Sequence, residues 1–513
     1  MLSQEDLASS ATSSPASSLY SPSPHGTGTG HVSSWLEELT SDHQSVRLVG
    51  LLYQCAAQVS AGAFDAANLY LEQITQLASL DSPHTLHRLA AVFADALARK
   101  LLTLVPGLSR ALHLSSSSST TTSAGETTVH HHHLVAARRH VFDMLPFLKL
   151  AYLATNRAVV EAMEGERFVH VVDLSGPAAD PVQWIALFHS FRGRRGGAPH
   201  LRVTAVHDSR DFLRTMNGVL AREADAFDIP FQFDAVEARV EELDPDALRN
   251  ALRVRSGEAL AISVVAQLHR LLAVDDVMSG SRRNNGAGGG SSCLTPVQII
   301  ARSSSSPRSF GELLERELNT RLQLSPDASS SVLSSSPGTM AAQRPKLGSF
   351  LKAVRGLSPK IMVVTEPEAN HNAGSFQERF DEAVNYYAAL FDCLERATAT
   401  SAAAQKQQGR CVVERVVLGE EIRGVVAREG AERKERHERL AQWARRMEGA
   451  GMERVGLSYD VMMEARKLLQ SCGWGGYEVT HDARGDGFFF CWHKKPLYSI
   501  SAWRPAAACR LGS

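Results

Sequence analysis

The most regular hydrophobic pattern in the chain lies at residues 168–206. Residues 168–174 and 201–206 are short runs rich in β-branched side chains, which is typical of parallel strands buried on both faces. Between them, Pro181 can open a helix at its first position, and residues 184–191 give that helix a broad apolar face. The pattern therefore predicts one strand–helix–strand unit.

The same alternation of strands and helices continues beyond this unit. Apolar strands are predicted at 230–234, 258–265 and 360–366, with amphipathic helices between them. The remaining predicted helices lie at 211–227, from 244–245 onward, and at 310–324, 350–357, 376–396, 412–427, 431–449 and 459–471. Short strands close together at 477–481, 487–492 and 497–503 indicate antiparallel pairing. We therefore predict an α/β fold, a doubly wound Rossmann sheet of the methyltransferase type with an antiparallel edge.

Residues 34–163 follow a helical period instead. Three amphipathic stripes precede a Ser/Thr/His linker at 115–133, and the helical stretch at 135–163 is interrupted by Pro146. Four adjacent histidine side chains, His130–His133, cannot all point at one ion, so this tract is interpreted as part of the linker. The pattern predicts an N-terminal all-helical cap subdomain beside the sheet.

Low-complexity segments flank and interrupt these regions. Residues 1–33 are predicted to be a disordered Ser/Pro-rich tail, and 506–513 a second tail. The Rossmann-like core at 164–505 contains Ser/Gly/Pro-rich insertions at 278–309 and 325–346. We therefore expect one large domain at 34–505 between two tails.

Composition narrows the classes of function. The formal net charge is −1, so the chain exerts no long-range attraction on nucleic acid or on an anionic membrane. Seven scattered cysteines without a C-x-x-C pair indicate reduced thiols inside a cell. No secretory signal and no stretch long enough to span a bilayer is present. We expect a soluble intracellular protein without a membrane partner.

Several motifs, in order along residues 35–505, resemble those of the plant GRAS family. Residues 169–173, Val-His-Val-Val-Asp, resemble its VHIID motif with valine at both isoleucine positions, a change that a buried strand tolerates. The other matching blocks are 254–260 and 267–272 in a second leucine-rich region, 359–387 in the PFYRE block, 413–416 with 429–438 in the RVER stretch, and 492–503, which ends in Ser501-Ala502-Trp503 of the SAW region. Within the family, the chain most resembles the Scarecrow-like type three branch.

The resemblance implies a nuclear transcriptional regulator without enzymatic activity and without a cofactor. In that branch it implies a co-regulator of gibberellin signalling and root development. Its partners would be DELLA-type GRAS repressors and indeterminate-domain zinc-finger proteins, through which DNA would be reached mostly indirectly. Homo- or heterodimerisation is left open.

A methyltransferase is one alternative. Such an enzyme holds its cofactor with a glycine-rich turn after the first strand. Here residues 174–181 contain one glycine and two prolines, which remove donors and stiffen the loop. Asp173, Gly176 and Asp208 are the candidates for a residual small-molecule pocket at the carboxyl ends of the strands. The competing interpretation is that both aspartates cap turns or helix starts. No catalytic residue and no metal site is predicted.

Direct sequence-specific DNA binding is the other alternative. No zinc-ligand spacing, basic zipper or helix-turn-helix is present in the sequence. The candidate contacts share positive charge in short clusters and are Arg192, Arg194, Arg195, Lys494 and Lys495. Such clusters are more often solvated surface than phosphate clamps. The Arg-rich helix at 431–449 is interpreted as solvated, because Glu432/Arg436 and Glu435/Arg439 would be favourable i, i+4 pairs.

Two L-x-x-L-L stretches are candidates for partner binding, because this spacing sets three leucines on one helical face. The leucines are Leu48, Leu51 and Leu52 in the first stretch and Leu268, Leu271 and Leu272 in the second. The competing interpretation is that they belong to the core.

Overall fold

The computed structural model describes residues 43–104, 137–273, 346–399, 404–471 and 475–507. Five predicted segments lie outside these ranges entirely or almost so: the tail at 1–33, the linker at 115–133, the insertions at 278–309 and 325–346, and the helix at 310–324. Among the described helices, none has both the length and the apolar character of a membrane span.

A nine-stranded sheet organises the described residues. Its strands are β1 Phe168–Asp173, β2 His200–His207, β3 Phe231–Glu237, β4 Ala259–Val265, β5 Ile361–Pro367, β6 Met452–Val455, β7 Tyr477–His481, β8 Phe488–Trp492 and β9 Lys495–Pro505. The strand order is β3-β2-β1-β4-β5-β9-β8-β7, and β6 pairs with β9. Strands β1 to β5 are parallel, whereas β9 runs antiparallel to β5, β6 and β8. The predicted doubly wound sheet with an antiparallel edge is confirmed.

The helices cover both faces of this sheet and form an additional helical region. They are α1 His43–Ala61, α2 Phe64–Leu77, α3 Thr85–Thr103, α4 Phe147–Ala162, α5 Pro181–Arg192, α6 Arg210–Ala226, α7 Leu248–Ala251, α8 Lys346–Gly356, α9 Phe376–Ala399, α10 Ala404–Val412, α11 Gly419–Val426, α12 Leu440–Gly449 and α13 Tyr459–Ser471. Residues 137–144 and 268–273 are also helical, and a π-helix at Val413–Leu418 joins α10 to α11. The helix predicted from 244–245 onward is reduced to the single turn of α7.

Local sequence explains the first strand–helix–strand unit. Pro181 is the first residue of α5, and the Asp180 carboxylate accepts a hydrogen bond from the backbone N–H of Val182, which caps the helix. Residues 169–173 of β1 are all buried, as expected for a strand with parallel neighbours on both sides. The predicted unit is present, with β1 ending one residue earlier than predicted and β2 one residue longer at each end.

The helical region combines two distant parts of the chain. Helix α3 packs against α9 and α11, and α1 also contacts α9. The ring of Phe380 on α9 meets Tyr53 and Phe93 edge to face, with centroids 6.0 and 5.5 Å apart. Helix α4 instead packs against α5, α13 and β5. An N-terminal helical region is confirmed, but residues 376–426 complete it, and α4 belongs with the sheet.

The predicted solvated helix at 431–449 is wrong over its first half. The α-helix begins only at Leu440, and residues 433–439 are not helical. The guanidinium of Arg433 donates to the His371 carbonyl at 2.8 Å, and Arg439 pairs with Glu382 at 2.9 Å. The prediction treated Glu432/Arg436 and Glu435/Arg439 as i, i+4 pairs of one helix, a geometry that residues 433–439 do not have; Glu435 contacts Arg270 instead of Arg439. Each was worth only about 0.3–0.5 kcal/mol, so tertiary partners override them.

Candidate functional site

The turn after β1, where a Rossmann enzyme would hold a cofactor, is occupied by its own side chains. The buried Asp173 carboxylate accepts hydrogen bonds from the Ser175 backbone N–H and from the Trp184 indole, both at 2.9 Å. Burial raises the pKa of Asp173. Its two oxygens therefore hold the turn against α5, which matches the interpretation of this aspartate as a cap.

The other two pocket candidates are also engaged. Gly176 adopts φ +49°, and a Cβ at this position would lie 3.1 Å from the Gln267 side-chain oxygen. The Gln267 side chain thus lies against the glycine. Asp208 is partly exposed and accepts a hydrogen bond from Arg239 at 3.2 Å. The structure therefore places Asp173 and Gly176 in internal packing and Asp208 in a surface ion pair.

A cavity of about 140 Å³ lies instead at the carboxyl ends of β4 and β5. Phe147, Leu148 and Ala151 of α4 form part of its apolar wall. Its charged and titratable lining consists of Arg138, His269, Arg270, Glu421, Glu435, His437 and Tyr498. In open α/β sheets, this edge is where ligands bind.

Glu366, near the end of β5, anchors this polar group. One of its carboxylate oxygens accepts hydrogen bonds from the backbone N–H groups of Gln267 and Leu268, at 2.9 and 2.7 Å. The other oxygen lies 2.8 Å from Nδ1 of His269. A carboxylate at this position caps the helical turn 268–273 and fixes the orientation of the His269 ring.

His269 lies between two carboxylates. Its Nε2 is 3.1 Å from Oε2 of Glu435, on the side opposite Glu366. Burial disfavours the charged imidazolium, but Glu366 and Glu435 outweigh it and raise the pKa of His269 to about 9. Burial likewise opposes ionisation of Glu435, yet the positive charge of Arg270 and the hydrogen bond from His269 hold its pKa well below the ordinary value.

Two further groups surround Glu435. Nε2 of His437 lies 3.4 Å from the same Oε2 atom, and its Nδ1 lies 2.8 Å from Nδ1 of His371. Burial and the neighbouring His269 lower the pKa of His437. Burial and the charge of Glu435 raise the pKa of Glu421 to about 7. The cluster thus places His269, which favours its protonated form, and His437, which favours its neutral form, beside one cavity.

This cluster was not predicted from the sequence. His269, Glu435 and His437 bring one ligand atom each within 4.8 Å of one another, although the sequence predicted no metal site. His269 and Glu435 are 166 residues apart, and only the crossover connections bring them together. The one local signal was the i, i+2 pair of Glu435 and His437, which the helix predicted there concealed.

The two leucine stretches lie in the core. Leu48, Leu51 and Leu52 are at most 9% exposed, and Leu268, Leu271 and Leu272 at most 5%. The second set packs in the cluster that contains Trp443 and Trp503. Neither stretch therefore presents its leucines to a partner's groove in this structure, and the core interpretation describes both.

The basic candidates remain mostly at the surface, at two places. Arg192 and Arg195 are exposed at the end of α5, whereas Arg194 is half-buried and donates to the Glu166 carbonyl at 2.8 Å. Lys494 is exposed in the β8–β9 turn, and burial lowers the pKa of the neighbouring Lys495. The arginines follow the helix between β1 and β2, while the lysines lie in the antiparallel half of the sheet.

The strand order and the closed first turn define a Rossmann-like α/β protein whose cofactor turn is engaged internally. Residues 48–504 match the GRAS domain family, and the chain belongs to this family. The resemblance inferred from the motifs is thereby confirmed. Its family and its similarity to plant Scarecrow-like and DELLA proteins identify it as a plant transcriptional regulator of the GRAS type.

Two plant proteins match over nearly their whole length. The chain is 40% identical to Scarecrow-like protein 3 of Arabidopsis thaliana, with 91% of each chain covered. It is 35% identical to GRAS family protein TF80 of Medicago truncatula, covering 92% of this chain and 98% of that protein.

The chain also matches a longer relative and a solved structure. It is 31% identical to the DELLA protein DWARF8 of Zea mays, over 90% of this chain and 61% of that protein. The crystal structure of SCL7 from Oryza sativa has the same fold, with a TM-score of 0.62 and 24% identity over 89% of this chain and 99% of that chain.

Proposed function

We propose that this protein is a nuclear co-regulator that docks onto DNA-bound transcription factors, in gibberellin signalling and root development. Its proposed partners are DELLA-type GRAS repressors and indeterminate-domain zinc-finger proteins. Membership of the family that includes Scarecrow-like and DELLA proteins supports this proposal. Dimerisation with itself or with a relative is part of the same hypothesis.

The observation that carries the docking mechanism is the internally occupied turn after β1. A cofactor-dependent Rossmann enzyme needs this turn open, so that its backbone can approach the cofactor. Here Asp173 binds Trp184 and Ser175, and Gln267 lies against Gly176. The arrangement favours action through the protein surface over turnover of a nucleotide-like cofactor at this turn.

Binding of the purified full chain to an indeterminate-domain zinc-finger protein, compared with binding to promoter DNA alone, tests the proposal. We expect binding to the zinc-finger protein and none to bare DNA. A fluorescent fusion in plant cells tests nuclear localisation separately. Absence of binding to the zinc-finger protein would contradict the proposed docking onto this class of transcription factor.

Direct DNA binding is the second candidate, because Arg192 and Arg195 are both exposed at the end of α5. The variant Arg192→Gln/Arg194→Gln/Arg195→Gln distinguishes the two mechanisms. Under docking, it leaves binding to the zinc-finger protein unchanged. Under direct binding, affinity for bare DNA falls with salt, and the variant lowers the slope of log K against log[salt] by up to about 3, since each phosphate contact adds about 0.9.

A residual methyltransferase activity is tested by calorimetry with S-adenosylmethionine. We expect no saturable heat, because the carboxylate of Asp173 is already engaged. Saturable heat that persists in the wild type and vanishes on Asp173→Asn would contradict this expectation.

A further inference from the structure

We propose that His269, Glu435 and His437 form a binding site for a divalent cation of the Zn²⁺ type, facing the cavity at the carboxyl ends of β4 and β5. This inference concerns a ligand of the fold itself. It goes beyond the proposed docking function and does not depend on it.

Two of the three donor separations match a tetrahedral site, and all three donor atoms lie within 4.8 Å of one another. Oε2 of Glu435 lies 3.1 Å from Nε2 of His269 and 3.4 Å from Nε2 of His437. A tetrahedral zinc ion with bonds of about 2.0–2.1 Å holds neighbouring ligand atoms about 3.3 Å apart. Two imidazole nitrogens and one carboxylate oxygen are a donor set that zinc takes in proteins. The two histidine nitrogens, which lie within 4.8 Å of each other, need to approach to about 3.3 Å for all three side chains to ligate one ion.

The second nitrogen of each histidine is already held. Nδ1 of His269 is 2.8 Å from the Glu366 carboxylate, which is itself fixed by two backbone N–H groups. Nδ1 of His437 is 2.8 Å from His371. Metal-ligating histidines are typically oriented in this way, most often by a carboxylate. Both rings thus direct Nε2 toward Glu435.

Charge around the site also accepts a cation. The carboxylates of Glu366 and Glu435 contact His269 from opposite sides, and the guanidinium groups of Arg138 and Arg270 line the same cavity. Arg270 contacts the other oxygen of Glu435, at 3.2 Å, and leaves Oε2 directed at the histidines. A divalent ion that displaces the Nε2 proton of His269 to solvent would leave both carboxylates with a neighbouring positive charge.

Three protein ligands leave the fourth position of a tetrahedral ion open, and a water molecule or ligand in the cavity could fill it. His269, Glu435 and His437 all line the cavity of about 140 Å³, which has room for water or for an oxygen of a small ligand. The ion would also join the helical turn after β4 to the non-helical segment 433–439. Metal binding should therefore stabilise the fold.

Two other features of the chain can bind metal and must be controlled. The tract His130–His133 offers four imidazoles, and the chain has seven cysteines. The reference protein is therefore the full chain with each of the four tract histidines replaced by Asn, purified without a metal-affinity step and stripped with a chelator. Zn²⁺ is then titrated by calorimetry, and Co²⁺ by visible absorption.

We expect one Zn²⁺ per chain and a Co²⁺ spectrum of a four- or five-coordinate ion without the charge-transfer band of thiolate ligands. His437→Gln should weaken the affinity by at least about 100-fold. Glu366→Gln, which neutralises the carboxylate that orients His269 and accepts the Gln267 and Leu268 N–H groups, should weaken it by about 10- to 100-fold. His87→Gln, a matched change at a buried histidine outside the cluster, should leave affinity and stoichiometry unchanged.

Thermal unfolding provides the second measurement. Zn²⁺ should raise the melting temperature of the reference and of His87→Gln, but not that of His437→Gln. If His437→Gln does not fold, Glu366→Gln decides. No saturable binding by the reference, or binding that both cluster variants retain, would overturn the proposal and leave His269 as an imidazolium held by two carboxylates.

Discussion

Two buried histidine clusters lie on the same sheet, one toward each end of its parallel strands. The amino-end cluster consists of His170, Arg202, Asp234 and Glu258, and the carboxyl-end cluster of His269, Glu366, Glu435 and His437. In the first, Arg202 contacts Asp234 at 2.9 Å, Glu258 at 3.0 Å and Nδ1 of His170 at 3.0 Å. Nε2 of His170 lies 2.8 Å from the Thr204 hydroxyl, so both ring nitrogens of His170 are partnered.

The two clusters differ in what surrounds them. The amino-end cluster comes from neighbouring strands, since His170 and Arg202 face each other in the β1–β2 register. Its acidic groups converge on one arginine. The carboxyl-end cluster draws on the segment 433–439, borders a cavity, and concentrates two carboxylates around His269. Similar residues therefore form a closed ion-pair cluster at one end of the strands and line a cavity at the other.

Removing the central arginine should produce the largest effect. Arg202→Met leaves Asp234 and Glu258 without their buried partner, and we expect a loss of about 3–5 kcal/mol in the free energy of unfolding. Urea unfolding followed by circular dichroism measures it. Arg253→Met is the matched control, because Arg253 also contacts Asp234 at 2.9 Å but has a side chain 56% exposed. Its expected loss is below about 1 kcal/mol. Equal losses for the two variants would mean that burial of Arg202 adds nothing to the stability of the amino-end cluster.

The buried histidine of the amino-end cluster should make the free energy of unfolding depend on pH in the acid range. Burial and the positive charge of Arg202 lower the pKa of His170 to about 3, so the unfolded chain takes up this proton first as the pH falls below about 6.5. Stability is therefore lost on acidification from about 6.5 toward 3, by roughly 1 kcal/mol per pH unit from this group.

The variant His170→Gln isolates this contribution. Its free energy of unfolding should depend less steeply on pH than that of the wild type, by that amount between pH 6 and 4. Unfolding curves at several pH values give both slopes. Parallel slopes would show that His170 titrates normally in the folded protein.

The smallest effect concerns the segment that supplies the carboxyl-end cluster. Glu382 and Arg439 are 2.9 Å apart and partly exposed, so a double-mutant cycle should give a coupling of about 0.5 kcal/mol. The cycle for Glu435 and Arg439 should give a coupling near zero, because the two residues do not share a helix. A favourable coupling in the second cycle would mean that residues 431–439 are helical, as first predicted, and that Glu435 does not line the cavity.

The fold was predictable where sequence period and tertiary structure agree. The β-branched run of β1 and the proline that opens α5 are local signals, and the structure follows them. Strand β6 was not predicted, because four residues with one fully buried side chain carry no clear alternation. The L-x-x-L-L stretches could not be assigned from sequence, since core packing and partner binding require the same spacing.

The carboxyl-end cluster could not be predicted at all. Its members come from the end of β5, the turn after β4 and a segment more than 60 residues further along the chain. No spacing rule relates such positions, and the charges of Glu435 and Arg439 favoured a local helix. Their tertiary partners Glu382 and His269 decide the structure instead.

Strand β9 has a consequence for biosynthesis. It pairs with β5 on one side and with β8 and β6 on the other, and it follows every other strand in the chain. A ribosome therefore releases all five parallel strands before the strand that covers β5. Until then β5 is an unpaired edge and the pocket for Trp503 is unfilled, so the nascent protein exposes surface that favours aggregation. Production of this protein should accordingly depend on chaperones that protect the nascent chain until translation has passed β9.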